Sequence, residues 1–208
     1  MVALLHYTIV DVSIKKHLYT YRFRLYPNQE QRVLIAKHFG ATRYLYNLFL
    51  TKRKETYLAD KTTLNYYDNA KELTELKKSL SWLNEVGSQS LQYSLKCLDG
   101  AYNRFFSGLA NFPRYKFKHS QQSFRIPQRA MVKDNKLVIP KFLEGIRMVK
   151  HRNIEGSIKF ATITKNRSRQ YHVSLTVERE MPVVTETNNV IGVDLGIKTL
   201  ATCSDGSI

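Results

Sequence analysis

Acidic residues are scarce in this chain of 208 residues: 17 Asp and Glu stand against 33 Lys and Arg, which gives a formal net charge of +16. Such an excess of positive charge indicates a polyanionic partner, and nucleic acid is the leading hypothesis over an anionic membrane surface. The shortage of acids also bears on chemistry, because a two-metal phosphodiester site needs several carboxylates.

Cysteine and long apolar runs are scarce as well. Cys97 and Cys203 are the two cysteines, and they lie far apart without CxxC spacing, so neither a disulfide framework nor a zinc site is indicated. The longest apolar stretch near the N-terminus, residues 2–10, is interrupted by His6 and Thr8 and is too short to span a bilayer. It also lacks a basic leader and a small-residue cleavage site. The sequence therefore predicts a cytoplasmic protein with reduced thiols and no membrane partner.

The first half of the chain is helical in character. Residues 19–25 alternate aromatic or apolar with basic side chains, which predicts a half-buried strand. Helices are then predicted over residues 29–39 and 42–59, separated at Gly40, and over residues 67–80 and 88–107. The apolar stripe of the last helix fits the packing of a helical core.

The second half of the chain favours short strands, at residues 123–126, 136–139, 145–149, 157–164 and 171–177. The last two predict a hairpin in which one apolar set faces another: Ile158, Phe160 and Ile163 against Tyr171, Val173, Leu175 and Val177. A strand, a helical block and then more strands predict an α+β fold. We expect a β-barrel interrupted by a helical insertion and closed by the N-terminal strand, because closure removes exposed edges.

Positive charge is concentrated between residues 110 and 152, where eleven basic residues meet only Asp134 and Glu144. Its densest part, residues 112–118 (FPRYKFK), interleaves cations with aromatic rings. Cations neutralise phosphates and aromatic faces stack on unpaired bases, although for Phe112 and Phe117 core packing is favoured. A second group comprises Lys52, Arg53 and Lys54. The helices on either side of Gly40 are either a helix-turn-helix that enters a DNA groove or a plain αα-hairpin.

An apolar segment that begins at Val190 delivers one carboxylate, Asp194, before a glycine turn. This arrangement is typical of the start of an RNase H-like metal site. After Asp194 the sequence holds one further acid, Asp205.

Several motifs occur in the order found in a known family: residues 21–31 (YRFRLYPNQEQ), 43–47 (RYLYN), 73–77 (LTELK), 82–86 (WLNEV), 91–95 (LQYSL), 101–106 (AYNRFF), 112–116 (FPRYK) and 192–198 (GVDLGIK). With these motifs the chain resembles the transposon-encoded TnpB (OrfB) proteins, which are RNA-guided DNA nucleases of insertion sequences. The resemblance covers nearly all of the chain beyond the first eighteen residues.

The resemblance implies a wedge-type β-barrel around a helical recognition bundle, followed by a RuvC-like nuclease domain whose first Mg²⁺ ligand is Asp194. It also implies that a structured guide RNA and double-stranded DNA are partners. Candidates for reading a DNA motif beside the target are Tyr66, Gln89, Gln92, Ser123 and Arg125, because glutamine and arginine can address base edges. The candidate phosphate-binding cations are Lys52, Arg53, Arg114, Lys116 and Lys118.

These expectations divide the chain into an N-terminal extension with the first wedge strand (residues 1–26), a recognition domain (27–108), a wedge barrel (109–185) and the start of a nuclease domain (186–208). The second and third catalytic acids and the zinc ribbon of the family have no counterpart in these 208 residues. We therefore expect binding of RNA and duplex DNA without cleavage. A decayed insertion-sequence fragment without function and a binding-only DNA regulator are the alternatives.

Overall fold

The computed structural model describes residues 14–182, 192–194 and 202–204. Its elements, in chain order, are β1 (Ile14–Tyr26), α1 (Gln29–Asp60), α2 (Tyr66–Ser79), a 3₁₀ helix (Ser81–Glu85), α3 (Ser88–Phe106), β2 (Gln122–Ile126), β3 (Met131–Lys133), β4 (Lys136–Ile139), β5 (Phe142–Val149), β6 (Ser157–Lys165), β7 (Tyr171–Pro182), β8 (Val193–Asp194) and β9 (Thr202–Cys203). The structure divides into a large unit, residues 17–179, and a second unit whose described residues are 14–16, 180–182, 192–194 and 202–204. The α+β class is confirmed. No helix among the described residues is both long and apolar enough to cross a membrane.

Helix α1 is one uninterrupted helix of 32 residues, so the predicted break at Gly40 is wrong. The helix begins with a capping box: the Asn28 side chain accepts a hydrogen bond from the Gln31 backbone, and the Gln31 side chain accepts one from the Asn28 backbone. Gly40 keeps an ordinary helical backbone, and a Cβ at this position would meet open space. Glycine lowers helix propensity without forbidding a helix, and packing on both sides of Gly40 overrides it.

Two hydrophobic cores explain why α1 continues. Ile35 and Phe39, from its first third, are buried in the core of the sheet. From Ala41 onward its buried residues, such as Leu45 and Phe49, belong to a second core shared with α2, the 3₁₀ helix and α3. Gly40 therefore lies where α1 passes from one core to the other.

The His38 side chain contacts three elements that meet at this junction. The ring is buried; Nδ1 lies 2.8 Å from the Leu34 carbonyl oxygen, and the backbone N–H of Gly87 donates to Nε2 at 3.0 Å. These two contacts define a neutral imidazole that donates from Nδ1 and accepts at Nε2. The ring also lies 4.7 Å from the ring of Phe124, centroid to centroid. One side chain thus connects α1, the start of α3 and the sheet.

The sheet has seven strands in the order β2-β6-β7-β1-β5-β4-β3 and is open, so the expected closed barrel is wrong. Among the described residues, β2 pairs only with β6 and β3 pairs only with β4. Closure is one of several ways to protect an edge. Here β2 packs against α1 and α3, and β3 is only three residues long. The N-terminal strand lies in the middle of the sheet, between β7 and β5.

The predicted hairpin of β6 and β7 is confirmed, with Ile163 opposite Val173 and Ala161 opposite Leu175. A register shift between Ile158 and Phe160 puts these two side chains on opposite faces, with Ile158 against the core. From Phe160 to Ile163 the pairing is regular, so alternation puts these two side chains on opposite faces as well. Ala161 and Ile163 are fully buried, whereas Phe160 is only half-buried and contacts Arg125 on the other face. The prediction that Phe160 and Ile163 share a face is therefore wrong.

In the second unit, β8 and β9 form a short antiparallel ladder in which Asp194 is opposite Thr202. The Gly192 and Ser204 backbones are joined by a 2.8 Å hydrogen bond. Residues 190 and 191 of the predicted strand, the side chain of Asp194 and all of Asp205 lie outside the described residues. The described ladder confirms a strand at Asp194 and no more.

We predict that Gly40→Ala raises the free energy of unfolding by about 0.5–1 kcal/mol, because alanine costs less conformational entropy in a helix and its methyl group enters open space. Urea denaturation measures the change. As a contrast, Gly145→Ala should destabilise the protein, because Gly145 has a φ of 76° and a Cβ there would lie 2.8 Å from the Lys136 side chain. A loss of stability in Gly40→Ala would mean that the helix breaks at this residue.

We also predict a pH dependence that originates at His38. Burial lowers the pKa of His38 below its ordinary value of 6.5, and the charge of Lys141 lowers it further. The stability that a neutral His38 contributes is complete above the unfolded pKa and is lost as pH falls from about 6.5 through the lower folded pKa. His38→Gln should be less stable at neutral pH and show a smaller loss towards pH 5.

His119→Gln, at an exposed loop residue, is the control for this measurement and should keep the full pH dependence. Equal slopes in His38→Gln and in the unsubstituted chain would show that the ring is not the group that titrates.

Candidate nucleic-acid interface

A cleft of about 380 Å³ lies between α1, α3, β2 and the connection that precedes β2. Three of the predicted binding residues line it: Lys116, Ser123 and Arg125. Lys116 precedes Ser123 by seven positions and Arg125 by nine. The connection between them folds against α1, and this brings the three side chains to one concave surface. The other lining residues are Phe39, Thr42, Arg43, Ser90, Tyr93, Ser94, Cys97, Tyr115, Phe117, Ser120, Gln121, Gln122, Phe124 and Thr162.

Arg125 is held between two aromatic rings. Its guanidinium carbon lies 4.5 Å from the ring centroid of Tyr93 on α3 and 4.0 Å from that of Phe160 on β6. Burial raises the pKa of Tyr93, and the Cys97 sulfur adds to the effect, so Tyr93 offers a neutral ring to the cation. The Nε atom of Arg125 is buried and has no hydrogen-bond partner among the described residues. The two rings hold the guanidinium group in place.

Lys116 is fixed by its backbone. Asn47 on α1 donates to the Lys116 carbonyl oxygen at 2.9 Å and accepts from the Lys116 N–H at 2.8 Å. The ammonium lies 4.0 Å from the ring centroid of Tyr46. Desolvation lowers the pKa of Lys116, although the residue as a whole is exposed to solvent. A partly desolvated cation interacts more strongly with an anion than a fully hydrated one does.

The aromatic residues around Lys116 do not fill the core as expected. Phe117 is 67% exposed, so core packing is wrong for this ring. Phe112 is 42% exposed and contacts Tyr102 and Phe105 edge to face, with ring centroids 5.6 and 5.3 Å away. Residues 111–117 are not a strand in the structure, so alternation does not decide which rings are buried.

A second cavity of about 580 Å³ shares Ser120, Gln121 and Gln122 with the cleft. Lys118 lines it together with cations of the turn between β6 and β7: Lys165, Arg167 and Arg169. Sequence reasoning missed these three residues and also missed Arg43 and Tyr93. The signal was present for the turn, because residues 165–169 (KNRSR) lie between two alternating strands and a hairpin turn of this composition is exposed.

The remaining candidates lie elsewhere. Lys52 forms an ion pair with Glu72, and Arg53 is buried with its guanidinium bound to Asp99 at 2.8 Å. The Arg53 guanidinium also stacks on Tyr102, 5.1 Å from the ring centroid. These contacts give Arg53 a structural role within the helical core and leave it little surface for a phosphate.

The predicted base readers are spread over two helices and a strand. Tyr66 packs against the helical core and has the Lys96 ammonium 5.4 Å from its ring centroid. The Gln89 side chain donates to Gln128 at 3.0 Å, and Gln92 and Arg114 are exposed and make no polar side-chain contact within the described ranges. The structure does not bring these four residues into the cleft.

No group of three or more His, Cys, Asp or Glu residues in the described part of the chain could hold a metal ion. The side chain of Asp194 lies outside the described residues, so its assignment as a metal ligand stays a prediction.

The comparisons with known proteins point in one direction. Residues 18–62 match a family described as a helix-turn-helix domain, that of the OrfB proteins of IS605 elements. This matched segment comprises most of β1 and all of α1, and α1 contains no turn at Gly40. The family description thus holds for the sequence, while the predicted two-helix geometry does not.

Three curated proteins are similar over long stretches. InsQ of Escherichia coli (strain K12), named as an RNA-guided DNA endonuclease, is 32% identical over 198 residues, which are 93% of this chain and 49% of InsQ. A Streptomyces pristinaespiralis protein with the same activity in its name is 31% identical over 192 residues, 89% of this chain and 48% of that protein. The virulence protein VsdF of Salmonella dublin is 30% identical over 108 residues, 47% of this chain and 91% of VsdF. The chain spans about half the length of the first two relatives.

We predict that Arg53→Leu lowers the free energy of unfolding by about 2–3 kcal/mol, because it leaves the Asp99 carboxylate without its cation. The value lies at the low end for a broken buried pair, since the Asp99 side chain is 29% exposed. Thermal or urea unfolding measures it. The neighbouring exposed residue provides a matched variant, Lys54→Leu, which should change stability by less than about 0.5 kcal/mol. Equal stability of the two variants would show that Arg53 is a surface cation.

Proposed function

We propose, because this chain belongs to the TnpB/OrfB family, that its large unit binds the guide RNA and the target-adjacent DNA of an RNA-guided DNA endonuclease. Residues 27–108 would act as the recognition domain and residues 109–185 as the wedge domain. The activity is the one that the names of the two long relatives give, and the proposed binding surface is the cleft described above.

The observation that carries the proposal is the separation of charge. The cleft and the cavity beside it are lined by Arg43, Lys116, Arg125, Lys118, Lys165, Arg167 and Arg169, and by no Asp or Glu. Among the described residues, none of these seven cations has a carboxylate partner within 4 Å. Unpaired cations on a concave surface attract a polyanion and release its counterions on binding.

Aromatic and polar groups in the same cleft support contact with bases as well as with phosphates. Arg125 would read a base edge, because its plane is fixed between Tyr93 and Phe160 and a guanidinium can donate two parallel hydrogen bonds to guanine. Ser123 is exposed beside it and would add a single polar contact. Exposed Phe117 would stack on an unpaired base. Gln89, Gln92 and Tyr66 would belong to a more distant part of the same interface.

For Asp194 we propose the role of first metal ligand in a RuvC-like nuclease domain that begins near residue 186. Magnesium would supply the Lewis acid and the activated water of phosphodiester hydrolysis when it is bound. One carboxylate cannot position two ions, so we propose that these 208 residues bind nucleic acid without cutting it.

We predict that the chain binds structured RNA and duplex DNA with an affinity that falls steeply with salt, and that the cleft sets this dependence. Lys116→Ala should reduce the slope of log affinity against log salt concentration by about one, because one phosphate contact is lost. Arg125→Gln should weaken binding to a preferred DNA sequence by about tenfold or more and reduce discrimination between sequences. Fluorescence anisotropy at several salt concentrations measures both effects.

The matched control is Lys71→Gln, which removes an exposed cation from α2 outside the two cavities. It should leave the affinity nearly unchanged. Equal losses in all three variants would mean that binding depends on net charge alone. The same reactions, run with Mg²⁺ and a target duplex, should leave the DNA intact. Cutting that Asp194→Ala abolishes would show that the chain holds a complete catalytic site, and absence of any binding at low salt would favour a non-functional fragment.

A further inference from the structure

The sheet carries a third cavity, smaller than the other two, at the end of β1. It has a volume of about 220 Å³ and lies between the last residues of β1, the first turn of α1 and the turn that connects β6 to β7. Four cations line it: Arg24, Arg32, Lys165 and Arg169. The rest of the lining is Leu25, Tyr26, Pro27, Gln170 and Tyr171, without an acid.

These cations are held close together although their charges repel one another. None of the four has a carboxylate partner within 4 Å in the part of the chain that the structure describes. The Nε atom of Arg24 is buried and makes no hydrogen bond to any residue that the structure describes. His172, next to this cavity in sequence, has its pKa lowered by burial and by the charges of Arg22 and Arg24. The electrostatic potential in the cavity is therefore positive. Repulsion among the four cations lowers the stability of the folded protein, and a bound anion would remove this loss.

The position of each cation is fixed by contacts that leave part of its charge available. Arg32 donates from Nε to the Pro27 carbonyl oxygen at 3.1 Å, and its other guanidinium nitrogens have no partner among the described residues. The Arg24 guanidinium carbon lies 5.5 Å from the ring centroid of Tyr26, and the Lys165 ammonium lies 5.4 Å from that of Tyr171. Such stacking orients a cation without neutralising it.

The turn that supplies Lys165 and Arg169 is closed by its own hydrogen bonds. The Asn166 N–H donates to the Gln170 carbonyl oxygen at 3.0 Å, and the Gln170 N–H donates to Asn166 Oδ1 at 2.8 Å. Arg169 has a φ of 60°, in the left-handed region where glycine or asparagine is usual. Glycine would adopt this backbone conformation at a lower conformational free energy than arginine does. The arginine at this position places its charge in the lining of the cavity.

We propose that this cavity is a phosphate-binding site, in which Arg24, Arg32, Lys165 and Arg169 surround one phosphate group while Tyr26 and Tyr171 contact the adjoining nucleoside. Three guanidinium groups can donate bidentate hydrogen bonds to the oxygens of a phosphate group. Four positive charges also exceed the charge of a single carboxylate, so they favour phosphate as the ligand. Lys165 and Arg169 also line the cavity beside the cleft, so the inference rests in part on the proposed function, and it adds a discrete anion site that free phosphate also fills.

Thermal unfolding with inorganic phosphate as the probe tests the proposal. At equal ionic strength, phosphate at about ten times its Kd should raise the Tm by about 3 °C or more relative to chloride. Arg24→Gln and Arg169→Gln should lose most of this shift, and Lys71→Gln should keep it, which separates binding from the general stabilisation that phosphate salts give. In chloride at low ionic strength, Arg169→Gln should unfold at the same temperature as the unsubstituted chain or higher, since it relieves repulsion.

The source of the phosphate is distinguished by two short oligonucleotides of one sequence, one with a 5′-phosphate and one with a 5′-hydroxyl. Tighter binding of the first, lost in Arg24→Gln, would assign a terminal phosphate; equal binding of both, weakened in Arg24→Gln, would assign a phosphate of the backbone. Arg24 is the discriminating residue because it lines this cavity and neither of the other two. Equal phosphate shifts in all variants, or a lower Tm of Arg169→Gln in chloride, would overturn the proposal. Arg125→Gln should keep the full phosphate shift, so failure of the cleft and failure of this site are separate results.

Discussion

The structure depends on one long helix that belongs to two hydrophobic cores. Helix α1 buries Ile35 and Phe39 in the sheet and Leu45 and Phe49 among the helices. A continuous helix keeps these two groups at a fixed rotation and distance, since each residue adds 100° and 1.5 Å. His38 and Thr42 tie the junction together, because the Thr42 hydroxyl donates to the His38 carbonyl oxygen at 2.8 Å and the Ser94 hydroxyl donates to that of Thr42 at 2.7 Å. The cleft lies between α1, α3 and β2, and Thr42 and Ser94 of this junction are among its lining residues.

Charge is distributed in a way that relates the fold to the proposed function. Four of the ion pairs in the described part of the chain lie among the helices, at Lys37–Glu85, Lys52–Glu72, Arg53–Asp99 and Lys78–Glu75. The cavities beside β2 and the β6–β7 turn have no acids in their lining. The net charge of +16 is therefore not distributed evenly over the protein. The cations that line these cavities have no carboxylate partner among the described residues, whereas Arg53 is paired where the helices pack.

Sequence patterns predicted most elements but not how they are joined. The helices at α2 and α3 and the strands β2 and β4 to β7 lie close to their predicted positions, because their periodicity is local, whereas the short strand β3 has no predicted counterpart. Gly40 predicts a helix end, and the order of the strands predicts a barrel. Both errors concern the partners of a segment rather than its own composition. For the site, Lys116, Ser123 and Arg125 were among the candidates and do meet in the cleft, whereas Arg53 belongs to the core.

The sequence by itself determined the family, the excess of positive charge and the location of most helices and strands, since each of these depends on residue identity and short spacing. Only the tertiary structure decided that α1 runs through Gly40, that the sheet stays open and which cations remain unpaired. The physical reason is that these properties depend on residues far apart in the chain: Arg53 meets Asp99 across 46 positions, and Asn47 binds Lys116 across 69. A glycine in open space permits a helix or a break, and the two cores that pack on either side of it select the helix.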